Sequence, residues 1–397
     1  MNQPAKTRLQ WVLCCMFASL LGQAVAWGSP QVLVSDRLTN RILRYDVDGN
    51  FAGVLIDDPN SLFLDQPAGM TLSPDRTRLY VASQQNNSVV RYDFDGTTAT
   101  NGTVIINSGI AIPSSLLFSA DGQTLYVSNL GFAFDGNTVS QFDPNGASAG
   151  PDLTGGSATG RTGLAFDPSG NIMVGAFQEG AVLKYNSGAA TFETFIGPDV
   201  NLAGAGNLLV NGNDLYVASL SFVAGAGTAL KFDATTGDEN LTFNPIFGED
   251  FPASLSLAPD GSGFLLGILG VSDGTGRIER YSFDGTFLGT FASNSGGDPN
   301  AGFSEATGLL TSFDSADFDT DGDVDGDDLG TWETAYGVNG DADADFDGDS
   351  DGVDFLIWQR QYTGDLSPLS SPATSIPEPA AVLLLLSGWG IAVRLRW

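Results

Sequence analysis

Residues 73–96 read SPDRTRLYVASQQNNSVVRYDFDG. A Pro-Asp turn leads into an apolar run, Leu79-Tyr80-Val81. A polar stretch ending at Asn86-Asn87 leads into a second run, Val89 to Tyr92, which stops at Asp95-Gly96. Two short β-prone runs bounded by turn residues form a hairpin. The same unit recurs along the chain. Cores like Leu79-Tyr80-Val81 start at Leu33 (within Val32 to Val34), Leu125, Ile172, Leu215 and Phe264, at steps of 46, 46, 47, 43 and 49 residues. Partner runs follow at Arg44-Tyr45, Gln141-Phe142, Lys184-Tyr185, Lys231-Phe232 and Arg280-Tyr281. Short strands repeating at a period in the forties predict the blades of a β-propeller.

The ends of the repeat set the blade count. Five repeats open with an inner strand, at Gly69 to Ser73, Ser115 to Ser119, Gly163 to Asp167, Asn207 to Val210 and Ala253 to Ala258. The first repeat begins directly at its second strand, and the strand it lacks stands at the far end, Thr307 to Thr311. Six blades closed by that last strand leave no free sheet edge in the ring. The predicted class is therefore all-β, a six-bladed propeller over 27–313, followed by a small α-helical module.

The blade sequence resembles the NHL and YVTN-type propellers, through Asp36-x-x-x-Asn40-Arg41-Ile42-x-x-Tyr45 and Asn87-Ser88-Val89-Val90-Arg91-Tyr92. That family includes lactonases, lyases and binding platforms, so the resemblance implies the fold and leaves the activity open. Loops entering the inner strands and loops between second and third strands share one end of the ring. The polar candidates there are Asp36, Arg37, Asn86, Asn87, Asn129, Arg161, Gln178, Glu179, Asn207 and Glu305. The lactonase branch holds a divalent metal in its channel, for which the inner-strand starts offer only Asn207 and Glu305 as ligand types. Asp-Gly endings such as Asp46-Val47-Asp48-Gly49 read as turns.

Composition narrows the chemistry. The 397 residues carry 47 acids, 16 Lys and Arg, and a formal charge of −31, with no His. Absence of His removes every imidazole acid, base or metal ligand. So acidic a surface repels nucleic acid and favours multivalent cations. Both cysteines, Cys14 and Cys15, fall in the first 26 residues.

Residues 314–365 hold 17 acids against one base, Arg360, and duplicate at an offset of 26. Asp317, Asp319, Asp321, Asp323, Asp325 and Asp328 recur as Asp343, Asp345, Asp347, Asp349, Asp351 and Asp354; Leu329, Trp332 and Tyr336 recur as Phe355, Trp358 and Tyr362. The aromatic and aliphatic positions repeat at i, i+3 and i+7, one face of a helix. Each half is thus a twelve-residue loop followed by a helix. Carboxylates at loop positions 1, 3 and 5, Gly at 6, a carbonyl at 7 and an acid at 12 make a hard oxygen shell suited to Ca2+. With one helix per loop, the module is similar to a type I dockerin, which implies calcium as cofactor and a cohesin-like protein as partner. Gly326-Asp327 and Gly352-Val353 stand where that family carries a hydroxyl pair that helps choose the partner.

The two ends read as addresses. Lys6 and Arg8, the apolar stretch Trp11 to Leu21, and Ala24-Val25-Ala26 form a secretory signal over 1–26. After a linker, 367–375, comes Ile376-Pro377-Glu378-Pro379, the apolar run Ala380 to Val393, and Arg394-Leu395-Arg396-Trp397. Fourteen residues of helix rise about 21 Å, short of the roughly 30 Å of a bilayer core, so the expected membrane contact is transient. This order over 376–397 resembles the PEP-CTERM sorting signal, which implies an exosortase-type enzyme as partner and a cell-surface or secreted destination. Together the parts read as an exported binding or scaffold protein in a polysaccharide-related assembly. A lactonase or glycan-active hydrolase in the propeller channel is the alternative.

Overall fold

The computed structural model describes residues 31–198, 202–221, 227–249, 251–270, 276–293, 303, 305–312, 316, 318, 324–338, 342, 344, 350 and 352–362. The signal 1–26, the linker 367–375 and the sorting segment 376–397 lie outside the described residues.

Among the described residues twenty-three strands form six antiparallel sheets. Blade 1 holds β1 (Gln31–Asp36), β2 (Arg41–Tyr45) and β3 (Phe51–Asp57), with β23 (Ala306–Ser312) as its inner strand. Blade 2 is β4 (Pro67–Leu72), β5 (Arg78–Ser83), β6 (Ser88–Phe94) and β7 (Ala99–Ile106). Blade 3 is β8 (Pro113–Phe118), β9 (Leu125–Asn129) and β10 (Val139–Phe142). Blade 4 is β11 (Arg161–Phe166), β12 (Ile172–Ala176), β13 (Ala181–Asn186) and β14 (Thr191–Ile196). Blade 5 is β15 (Ala205–Asn211), β16 (Asp214–Ser219), β17 (Gly227–Asp233) and β18 (Ile246–Glu249). Blade 6 is β19 (Pro252–Leu257), β20 (Gly263–Ile268), β21 (Arg277–Ser282) and β22 (Phe287–Ser293).

The closure expected from the sequence is present. β23 pairs with β1 from Gln31 opposite Ser312 to Asp36 opposite Ala306. The inner strands touch in the order β23, β4, β8, β11, β15, β19 and back to β23. Blade 3 departs from the others: its fourth strand is reduced to the bridges Val139–Leu153 and Phe142–Ser148. The segment after β10, rich in Gly and broken by Pro144 and Pro151, does not sustain a ladder.

Six apolar clusters fill the six gaps between neighbouring blades. This explains why the central run of each second strand, such as Val32 to Val34, is apolar at consecutive positions and not alternating. Leu33 faces blade 2, beside Leu79 and Met70. Its neighbours Val32 and Val34 face blade 6, beside Leu265 and Phe291. A sheet covered on both faces needs apolar residues on both.

Each inner strand carries a register shift at the same end, between Pro67 and Met70, Pro113 and Leu116, Arg161 and Leu164, Ala205 and Leu208, Pro252 and Ser254, and opposite Ser35-Asp36. Bulges of this kind re-aim side chains at a barrel or ring mouth. Hydroxyls tie one blade to the next there. Ser35 Oγ donates to Ala68 O at 2.8 Å, Thr162 Oγ1 to Ala205 O at 2.6 Å, Ser254 Oγ to Ala306 O at 3.1 Å and Thr307 Oγ1 to Pro67 O at 2.7 Å.

So close an approach leaves no room for a methyl group at Gly163. A Cβ there would lie 2.6 Å from Asn207 Cα and 2.6 Å from Leu208 N, both backbone of β15. Gly163→Ala is expected to destabilise the propeller by about 1–3 kcal/mol, the usual cost of overpacking. Gly197→Ala, at a position with nothing within 4 Å, should leave the thermal midpoint unchanged.

Beyond the ring, α1 (Gly326–Ala335) and α2 (Gly352–Gln361) follow the two acidic loops. Their core joins Ala316, Val324, Ala344 and Trp358 with Phe318, Leu329, Phe355 and Tyr362. The duplication seen in the sequence is thus a packed pair. Trp332 lies 4.8 Å from Phe355, and Phe355 stacks on Trp358 at 5.5 Å.

Candidate functional site

The six bulges line a funnel at the end of the ring where the chain enters its inner strands. Its volume is about 340 Å³. The floor is made by bulge residues Ala68, Ser114, Thr162, Gly163, Gly206, Asn207, Ala253 and Thr307. The wall follows a six-fold rule. The residue directly after each second strand lines the funnel: Arg37, Gln84, Leu130, Phe177, Leu220 and Leu269. Phe134, Phe251 and Glu305 complete it.

That ring of six divides the funnel chemically. Blades 1 and 2 contribute Arg37 and Gln84; blades 3 to 6 contribute only apolar side chains. Across the ring Arg37 therefore faces Phe177, and Gln84 faces Leu220. On the polar side Arg37 Nη1 pairs with Glu305 Oε2 at 3.0 Å, and Arg37 Nε donates to Gln66 Oε1 at 3.1 Å. The backbone locks the same corner: Arg37 N donates to Glu305 O at 3.1 Å and Glu305 N to Asp36 Oδ1 at 3.3 Å. On the apolar side Phe134 and Phe177 rings lie 5.1 Å apart.

Of the ten polar candidates named from sequence, Arg37, Asn207 and Glu305 line this funnel. The other seven hold loops. Asn87 Oδ1 accepts from Ile112 N at 2.7 Å, and Asn129 Oδ1 from Ala111 N at 3.0 Å. Asn86 Nδ2 donates to Phe63 O at 3.2 Å, and Gln178 Nε2 to Ala133 O at 3.1 Å. Glu179 Oε2 accepts from Thr159 N at 2.7 Å. Asp36 is fully buried and accepts from Thr39 and Arg41. Arg161 is also buried; it donates to Ala158 O at 2.7 Å and Gly155 O at 2.6 Å, and sits 5.2 Å from the Phe192 ring centroid. Burial pulls its guanidinium down to about 10, with the Glu179 carboxylate opposing. It is a strut for the loop before β11.

The residues missed from sequence are Gln84, Ser114 and the apolar wall. For Gln84, Leu130, Phe177, Leu220 and Leu269 the signal is positional, one residue per blade directly after the second strand; Ser114, Phe134 and Phe251 carry none. In the loop between β3 and β4, Leu62 and Phe63 are exposed, at 73% and 38%. They are held by Asp58, whose carboxylate accepts from Leu62 N, Phe63 N and Leu64 N at 3.0, 2.6 and 2.8 Å. Burial raises the Asp58 carboxyl, but these three donors outweigh it and hold it below the usual range.

In the acidic module, Asp325, Asp328 and Asp354 are described; Asp317, Asp319, Asp321, Asp323, Asp343, Asp345, Asp347, Asp349 and Asp351 lie outside the described residues. Asp328 and Asp354, at position 12 of each loop, are fully buried. Each accepts a backbone N–H from position 2 of its own loop: Phe318 N to Asp328 Oδ1 at 2.5 Å, and Ala344 N to Asp354 Oδ1 at 2.5 Å. Asp325 caps α1, its side chain accepting from Asp327 N at 2.8 Å. Val324 and Ser350 share position 8, yet Val324 packs in the core while Ser350 Oγ accepts from Ala342 N at 3.0 Å. Two buried carboxylates folded back over their loops fit a hard cation as position-12 ligands.

No protein-family model matches the chain, and no curated protein matches it in sequence. Solved structures do match in fold. A chain of a nidogen–laminin complex superposes with a TM-score of 0.54 at 13% identity, covering 71% of this chain and 98% of that one. The periplasmic gluconolactonase of Pseudomonas aeruginosa superposes with a TM-score of 0.50 at 16% identity, covering 71% of this chain and 98% of that one. At such identities these likenesses carry architecture and no activity, and the architecture they share with this chain is the six-bladed β-propeller.

Proposed function

We propose that this is an exported, surface-sorted binding protein: a propeller whose funnel receives a ligand, a Ca2+-stabilised docking module, and a C-terminal segment that addresses the chain to a membrane-held processing enzyme. A cohesin-like protein is the partner proposed for the module, and a polysaccharide-related assembly the setting. The lining of the funnel supports binding over turnover. Among the described residues its one carboxylate, Glu305, is already paired with Arg37, and the rest of the wall is amide, hydroxyl, small or apolar. General acid–base hydrolysis uses two carboxyl groups facing one bond.

The enzyme alternative draws on the gluconolactonase-like fold and on Glu305 with Asn207 as channel ligands. A panel of lactones and polysaccharides, run with Ca2+, Mg2+ and Zn2+, separates the two. No turnover is expected. Turnover that disappears in a folded Glu305→Gln variant would make the funnel an active site.

A further inference from the structure

Two aromatic side chains of the funnel, Phe134 and Phe251, stand on backbone with φ of 56° and 64°. That left-handed region is unfavourable for a residue with a Cβ. A left-handed residue directly before the inner strand recurs in the ring, at Gln66 (φ 55°) before β4, Ile112 (φ 46°) before β8 and Gly160 (φ 73°) before β11, so the conformation belongs to the blade entry; Phe251, before β19, differs in that its side chain is an aromatic ring lining the funnel.

The hydrogen-bonding groups around those rings are neutral. Gln84, Ser114 and Asn207 line the funnel on blades 2, 3 and 5, and their side chains make no hydrogen bond among the described residues. Among the described residues the charges in the wall are Arg37 and Glu305, and they pair with one another. A wholly apolar ligand would bury two amides and a hydroxyl unpaired, which weakens binding. An acidic ligand would meet no uncommitted cation in the wall, on a chain of charge −31. A ligand with apolar C–H faces and hydroxyls that both donate and accept satisfies both sets at once.

We propose that the funnel holds one or two uncharged sugar units at the end of a glycan, with Phe134, Phe177 and Phe251 against the ring faces and Gln84, Ser114 and Asn207 on the hydroxyls. This rests on the binding-platform reading. The size agrees: about 340 Å³ is at the small end of ligand sites.

Titration calorimetry of the full chain tests it, with cellobiose, lactose, maltose and chitobiose as neutral probes, digalacturonate as the acidic one and decanoate as the apolar one. At least one neutral disaccharide is expected to bind, and Gln84→Ala and Asn207→Ala should each weaken it about tenfold. Phe251→Gly and Phe134→Gly should abolish detectable binding without lowering the thermal midpoint. Rings kept only for the fold would give the reverse, a lower midpoint with sugar binding intact, and that result would overturn the proposal. So would binding of none of the four sugars, or preferential binding of decanoate or digalacturonate, either of which leaves a binding platform standing. Turnover of a sugar lactone, lost in Glu305→Gln, would instead remove the platform reading itself.

Discussion

Withdrawing calcium with a chelator is expected to unfold residues 314–365 while the propeller stays folded. Seventeen acids against one base repel one another in a compact state, and neutralisation by bound cations is what offsets that repulsion. Two sites, each saturated a hundredfold, would each contribute about 2.7 kcal/mol to the module. Tryptophan reports on the module: the propeller residues 31–312 contain none, whereas Trp358 lies in the module's core and Trp332 packs against Phe355; the other four, Trp11, Trp27, Trp389 and Trp397, stand outside both. Trp358 Nε1 also donates to Asp325 O at 2.8 Å, tying the second half to the first loop. Chelation should shift tryptophan emission to the red and lower the helix signal in circular dichroism, and Ca2+ should restore both. Asp328→Asn should raise the calcium needed for that recovery. Thr331→Ala, whose hydroxyl returns only to Asp327 O at 3.2 Å, should not. Identical spectra in chelator and in millimolar Ca2+ would sink the calcium reading.

Removing the last strand should be as damaging to the ring. A chain ending at Asp298 lacks β23, so β1 keeps its ladder with β2 and loses the one with β23, from Gln31 to Asp36. Buried Ala306, Leu309 and Thr311 leave with it, uncovering blade 1 against blade 6. A buried leucine alone is worth about 1.5–3 kcal/mol, and the unmade ladder and open ring add to that, against a total stability of about 5–15 kcal/mol for a typical domain. The shortened chain is expected to be insoluble or to melt far below one ending at Asp314, because an open ring offers a long apolar edge to other chains. Equal melting temperatures for the two would refute closure through β23.

Much of this molecule is legible in one dimension. A blade is a local object: its strands are neighbours in sequence, and each second strand is buried on both faces, so Val32 to Val34 and its five counterparts announce themselves as apolar runs at a steady period. Closure was legible too, because a missing inner strand at one end and a spare one at the other have a single topological solution. The duplication at an offset of 26 likewise implied two equivalent halves, which pair as Trp332 with Phe355. The site was not legible in the same way. Asn87, Asn129 and Glu179 are polar and sit in loops, a pattern that loop hydrogen bonding and ligand contact share, and the loops' own N–H groups take their side-chain oxygens. Gln84, Leu130, Phe177, Leu220 and Leu269 looked like nothing in particular. They become a wall only when six segments, each forty or more residues from the next, curl into a ring and six bulges turn the inner strands toward its axis. Sequence by itself fixed what short-range pattern and repetition can carry: strand, blade, count and closure. Which side chains meet at the centre was decided by tertiary structure alone, because convergence around an axis depends on twist, bulge and ring closure, none of which leaves a mark on any single residue.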